Sequence, residues 1–223
     1  MKRSNTFLSS ISKKYIMALA GMFLMLFLVF HLSTNLLMLV GDGEAFERAV
    51  EFLTLNPAVK IMEYVLFAGF LIHIALGFVL MIHNYRARPV KYHRPLRTET
   101  SPFSRFMFHT GMIILVFLVF HFLHFFFVKL GWVDMPAGVS DRHDFYSMAV
   151  ILFQNPLYSA LYWLSFVFLG FHLKHAFQSA FQSLGLNHTK YTPAIKVIGT
   201  IYAILISVGF AIIPFYFLFI YSP

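Results

Sequence analysis

The sequence contains no cysteine, and only 12% of its 223 residues are charged. A chain without cysteine forms no disulfide, no thiolate zinc site and no cysteine-ligated iron–sulfur cluster. Any metal must therefore be held by histidine, methionine or carboxylate side chains. A soluble domain carries about a quarter charged residues, so the low charge content and a mean hydropathy of +0.74 indicate a membrane protein.

Acidic residues are scarcer than basic ones, nine against 17, and the net charge is +8. A basic chain can bind nucleic acid, but here the charges cluster between apolar runs instead of marking one folded surface. Membrane topology explains that distribution better. The expected partner of the chain is therefore the lipid bilayer and not nucleic acid.

Five apolar runs reach the roughly 20 residues that cross a bilayer as a helix. They are residues 15–40, 61–85, 106–130, 156–183 and 194–220, named here span 1 to span 5. No small-residue cleavage site follows span 1, so we interpret it as a retained helix and not as a signal peptide. Pro214, inside span 5, is expected to kink it. The sequence predicts one all-α integral membrane domain over residues 1–223.

Basic residues are distributed unequally between the two ends of the spans. Twelve Lys and Arg occupy segments 1–14, 84–105 and 184–196, against four in the segments on the other side. We call these sides the basic face and the acidic face, since eight of the nine acidic residues lie at the latter. The positive-inside rule places the N-terminus in the cytoplasm and the C-terminus outside. Apolar stretches at 46–55 and 145–153 are expected to form interfacial helices over the acidic face.

Four spans each carry a histidine far from their ends. With a rise of about 1.5 Å per residue, His31 and His121 lie about 23 Å from the basic-face end of their spans. His73 and His172 lie about 14 Å from it, which gives two levels about 10 Å apart. An ionisable ring is costly in hydrocarbon, so histidines in spans indicate function by default.

Two histidine pairs at two depths suit two b haems, because neutral imidazole is an axial ligand of haem iron. The depths pair His31 with His121 and His73 with His172. His124, one turn beyond His121, stays a rival ligand. Histidines that only hydrogen-bond between helices are the alternative explanation. The expected fold is a five-helix bundle that encloses both haems.

Haem propionates are anionic and need cationic or hydrogen-bonding partners. The candidates are polar residues at the basic-face ends of three spans: His109, His175, Lys13 and Lys14. Snorkelling side chains at the interface would look the same. Gly21 and Gly111 each lie ten residues before a candidate ligand, where a small residue either opens a slot for a porphyrin or lets two helices approach closely.

Several strings in the spans resemble the five-helix, di-haem cytochrome b anchors of succinate dehydrogenases and fumarate reductases. These strings are LVFHLSTN (28–35), LIHIALG (71–77), TGMIILVFLVFH (110–121) and FHLKHAFQS (171–179), together with GEAFERAVEF (43–52) between spans 1 and 2. The resemblance covers nearly the whole chain, and the order and spacing of the strings carry it.

The resemblance implies that His31 and His121 bind an outer haem and that His73 and His172 bind an inner one. It implies a bacterial cytoplasmic membrane and two partners on the cytoplasmic face, a flavoprotein with covalent FAD and an iron–sulfur protein. The basic segment 84–105 is suited to contact the iron–sulfur protein, although positive-inside bias alone also explains it. The chain itself would hold no flavin.

The electron acceptor implied by the resemblance is a quinone near the outer haem, in most such proteins menaquinone. An acidic residue near the outer surface would handle its protons. Glu51 is the first candidate, with Glu63 and Glu44 behind it, and each is otherwise an ordinary solvated carboxylate. Some members return protons through a glutamate two residues before the ligand in span 4. Gly170 occupies that position, so this route is not expected here.

The expected function is electron transfer between an iron–sulfur subunit and quinone, as part of a succinate dehydrogenase or a quinol:fumarate reductase. Two alternatives remain open at this point. One is a di-haem cytochrome b that serves a hydrogenase or a formate dehydrogenase. The other is a haem-free membrane anchor or transporter, although transporters usually carry acidic groups within their spans and inverted repeats.

Overall fold

The computed structural model of the protein describes residues 9–86 and 106–222. Most of the basic segment 84–105, and the prediction that it docks a partner, lies outside these described residues. Throughout the described part the chain is helical, without strands. The long helices are Ser10–Leu36, Pro57–Arg86, Met107–His121, Pro156–Ser183 and Thr192–Phe219. A 3-10 turn, Leu37–Leu39, extends the first, and a π-helical turn, Phe122–Phe126, with a last turn, Phe127–Lys129, extends the third.

These five helices correspond in order to spans 1 to 5, so the all-α, five-span prediction is confirmed for the described chain. Each is long and apolar enough to cross a bilayer. Many large apolar side chains point outward from the bundle, among them Leu71, Leu157 and Leu205 at 68%, 75% and 64% exposure. A surface this apolar is stable against hydrocarbon and not against water. The chain is therefore a multi-pass membrane protein.

Asn–Pro pairs begin spans 2 and 4. The side chain of Asn56 accepts a hydrogen bond from the backbone of Ala58, and that of Asn155 accepts one from Leu157, each at 2.9 Å. Asparagine is a favoured N-cap, and proline fits the first helical position because its missing N–H would have no partner there. These caps place the starts of spans 2 and 4 at the acidic face.

Two short helices, Glu44–Leu55 and Phe145–Gln154, lie at the acidic face, as the sequence predicts. The second packs on spans 4 and 5, where the ring of Tyr146 meets that of Phe217 with centroids 5.8 Å apart. Gly43 precedes the first helix with φ of 93°, and a Cβ there would stand 2.5 Å from the Tyr146 ring. A left-handed glycine therefore lets the first helix close against the second.

Spans 4 and 5 pack closely along their length. A Cβ on Gly199 would stand 2.8 Å from the Phe177 ring, so only glycine allows this approach. Span 5 continues as one helix through Pro214 to Phe219. The indole N–H of Trp163, on span 4, donates to the Ala211 carbonyl at 3.0 Å. The carbonyl of the preceding residue, Phe210, has no helical donor, because Pro214 carries no N–H.

Span 1 lies at the centre of the bundle, in contact with spans 2, 4 and 5, while span 3 packs on span 4. The hydroxyl of Tyr202, on span 5, donates to the Met25 carbonyl of span 1 at 2.6 Å. This arrangement brings the spans that carry the deep histidines into one bundle.

Candidate bis-histidine sites

The rings of His31 and His121 face each other between spans 1 and 3. Their centroids are 5.9 Å apart and their planes cross at 83°. Aromatic rings enclose the pair: Phe27 stacks on His31 at 5.1 Å, and Phe125 lies 5.3 Å from His121. Both imidazoles therefore lie among aromatic side chains.

The rings of His73 and His172 face each other between spans 2 and 4, with centroids 6.3 Å apart and planes crossing at 70°. Glycines flank the pair from the two remaining histidine-bearing spans. A Cβ on Gly21 would lie 3.6 Å from Cε1 of His73, and a Cβ on Gly111 would lie 3.4 Å from Cε1 of His172. Spans 1 and 3 therefore present bare backbone to this pair.

These contacts place the two pairs at different levels along the spans. Gly21 lies beside His73, and His31 follows ten residues later on the same helix; Gly111 and His121 repeat this relation on span 3. The described residues therefore hold the two histidine pairs at two levels. Their separation of about 10 Å along the membrane normal stays a prediction.

The ring separations fit a shared metal ion. Imidazole nitrogen binds a first-row metal at about 2 Å, and the ring centre lies about 1 Å further back, so two axial imidazoles have centroids about 6 Å apart. Both observed separations, 5.9 and 6.3 Å, match that value. Within the described residues no three His, Asp or Glu side chains converge on one point. Each pair would thus supply two ligands, His31 with His121 and His73 with His172, to a group that brings its other ligands with it.

The Nδ1 atoms of the four rings have different surroundings. Nδ1 of His172 lies 3.3 Å from the hydroxyl of Thr110, whose proton is already donated to the Met107 carbonyl. That hydroxyl can accept Nδ1–H and so leave Nε2 of His172 as a lone-pair ligand. Nδ1 of His31 lies 3.3 Å from the Asn35 amide.

Nδ1 of His73 and of His121 is buried without a hydrogen-bond partner among the described residues. A buried polar nitrogen without a partner is costly, because it has lost its hydrogen bonds to water.

The sequence analysis did not identify Thr110 or Asn35 as partners of the histidines. The signal for both was a polar residue next to, or one turn from, a residue of the proposed sites.

His124 does not join the His31–His121 pair. Its Nδ1 lies 3.2 Å from the hydroxyl of Tyr162, and its ring meets that of Tyr158 at 5.1 Å. In an α-helix residues three apart share a face, but the π-helical turn that begins directly after His121 widens the helix and rotates His124 away. The structure therefore brings His121, and not its rival, to His31, while the role of His121 as a ligand stays a prediction.

The four candidate propionate contacts lie on the basic-face side of the inner pair. His175 is half-buried one turn from His172, Lys13 is half-buried, and His109 and Lys14 are exposed. Among the described residues none of the four forms a hydrogen bond or ion pair with His73 or His172. Their role as propionate contacts stays a prediction.

The three candidate carboxylates at the acidic face differ in their partners. Glu51 is exposed on the Glu44–Leu55 helix, and Glu44 pairs with Arg48 at 2.8 Å in the same helix. Glu63 of span 2 forms an ion pair at 3.0 Å with Lys129 of span 3, which sequence reasoning missed. Both residues lie at the acidic-face ends of their spans, and this shared position is the feature of the sequence that points to the pair. Lys129 also lies 5.6 Å from the Phe126 ring centre.

Comparison of the chain with models of protein families, with curated proteins and with solved structures found no match.

Proposed function

We propose that the chain is the di-haem cytochrome b subunit of a succinate:quinone oxidoreductase in a bacterial cytoplasmic membrane. One observation carries the proposal: two histidine pairs on four different spans, with the rings of each pair in contact at 5.9 and 6.3 Å, close enough that both could hold one metal ion. His31 and His121 would hold the outer haem, and His73 and His172 the inner one.

Two b haems, when bound, supply reversible one-electron redox centres at two depths of the membrane. The residues of the chain bind and orient them. Thr110 is placed to fix the tautomer of His172, and the aromatic side chains around His31 and His121 keep water from the outer site. Gly21 and Gly111 present no side chain to the inner pair and would let the edge of a flat macrocycle lie against spans 1 and 3.

Succinate dehydrogenase is favoured over other membrane cytochromes by the resemblance of the spans. In this proposal the flavoprotein and the iron–sulfur protein bind at the basic face, and quinone, with menaquinone as the first candidate, reacts near the outer pair. Of the carboxylates there, Glu51 remains the first candidate for proton handling. Glu63 is less suited, because its carboxylate is already held in an ion pair with Lys129.

Purification of the tagged chain from its own membranes in mild detergent tests the proposed complex. A flavoprotein with covalently bound flavin is expected to co-purify, visible as a fluorescent band on a denaturing gel. The preparation should reduce a menaquinone analogue with succinate, or oxidise its quinol with fumarate. Co-purification with a hydrogenase or a formate dehydrogenase, without covalent flavin, would contradict the succinate proposal while leaving the haem sites intact.

A further inference from the structure

A groove of about 420 Å³ runs between spans 4 and 5 near the basic face. Its walls are two helix faces with i, i+4 spacing, one from each span. The lining residues are Lys174, Gln178, Lys196, Val197, Thr200 and Ile201. The groove is separate from both histidine pairs, and the proposed electron-transfer function does not use it.

The groove opens toward the lipid and not toward the bundle interior. Val197 and Ile201 are 58% and 52% exposed on the outside of span 5. Lys196 lies four residues from the start of span 5, about 6 Å along the helix, and Lys174 lies nine residues from the end of span 4, about 13 Å along it. An occupant therefore reaches the groove sideways, from the bilayer.

The charge of the groove is positive. Among the described residues its lining contains two lysines and no carboxylate, and the eight acidic residues of that part of the chain belong to the acidic face or its edge. A cation on the outside of a span is costly in hydrocarbon, and a lysine there extends its stem toward the interface. Two lysines from two helices thus line one groove, and both can extend their ammonium groups toward the headgroup level of the basic face.

We propose that this groove binds one phospholipid with an anionic headgroup, in the leaflet of the basic face. The ammonium groups of Lys174 and Lys196 would contact the phosphate, and the amide of Gln178 would donate to its oxygens. The hydroxyl of Thr200 donates to the Lys196 carbonyl at 2.8 Å, so it can act toward the headgroup only as an acceptor. Val197 and Ile201 would contact an acyl chain, which a soluble anion does not have.

Basic pockets between spans on the cytoplasmic side of a membrane are suited to anionic headgroups, and each lysine near such a surface contributes about fivefold in affinity. Two lysines therefore predict that phosphatidylglycerol binds about thirtyfold more tightly than phosphatidylcholine with the same acyl chains. A zwitterionic headgroup gains little, because its own cation repels the lysines.

Native mass spectrometry of the delipidated full-length protein, titrated with each of these two lipids, tests the proposal. The wild type should retain one phosphatidylglycerol with the stated preference. The double variant Lys174→Gln/Lys196→Gln should bind both lipids alike. The matched control Arg86→Gln/Lys190→Gln removes the same charge from the same face outside the groove, and it should keep the wild-type preference.

Three outcomes would overturn the proposal: equal binding of the two lipids by the wild type, equal loss of preference in the control, or displacement of phosphatidylglycerol by excess inorganic phosphate. The last would identify a site for a soluble anion. If the glutamine variant does not fold, Lys174→Arg/Lys196→Arg should keep the preference and Lys196→Gln alone should lower it about fivefold. Failure of either expectation would also overturn the proposed lipid site.

Discussion

Replacing His121 with alanine is expected to lower the haem content of the purified protein from two per chain to one. The imidazole of His121 faces that of His31 at 5.9 Å, and a haem that loses one of two axial ligands in an apolar site loses most of its binding energy. His31→Ala should give the same result, and the double variant no further loss, because the proposal assigns both residues to one site. Haem extraction per mole of protein, together with a redox titration, measures the loss.

His124→Ala is the matched control, because this histidine lies three residues further along the same span but contacts Tyr162 instead of His31. It should retain both haems. His73→Ala and His172→Ala should each remove the other redox component, the one that remains in the His121 variant. A protein in which His124→Ala loses a haem and His121→Ala does not, or in which the His31 and His73 variants lose the same component, would refute the pairing.

Gly21→Leu and Gly111→Leu are each expected to displace the inner haem and leave the outer one in place. A Cβ alone would stand 3.6 Å from His73 at the first position and 3.4 Å from His172 at the second, so the remaining leucine atoms must enter the space beside the pair. Overpacking costs about 1–3 kcal/mol, which corresponds to a loss of affinity of about 5- to 150-fold. A redox titration should show the outer component at full amplitude and the inner one reduced.

Gly77→Leu is the control for this substitution. Gly77 also lies between spans 1 and 2, but a Cβ there would meet only the flexible end of Met17, at 3.8 Å. It should retain both haems. Two results would contradict this role of the glycines: loss of the same haem in all three leucine variants, or loss of the outer haem in Gly21→Leu and Gly111→Leu. Gly21 and Gly111 would then serve helix packing only.

The five spans and the two short helices at the acidic face could be predicted from the sequence, because hydropathy follows directly from residue type and the length of a span from the thickness of the bilayer. The grouping of His73 with His172 was also predictable, since depth along a helix depends only on residue number. The distance between the two levels was less accessible. It depends on how far each helix extends beyond the hydrocarbon and on its tilt, neither of which follows from residue type.

Local backbone geometry and side-chain partners could not be predicted. The choice between His121 and His124 depends on the π-helical turn between them, which no residue pattern in the run of phenylalanines announces. Likewise the contact of Thr110 with His172 joins two spans 62 residues apart in sequence, and only packing determines it. The Glu63–Lys129 ion pair is of the same kind.

The central claim is that the four paired histidines bind two haems, and one measurement tests it most directly. A reduced-minus-oxidised absorption spectrum of the purified wild-type chain, with haem and protein quantified on the same sample, gives the haem type and stoichiometry. The account predicts a low-spin b-type spectrum equivalent to two haems per chain. A protein that folds and remains monodisperse but shows no such spectrum, even after expression with added haem, would contradict it.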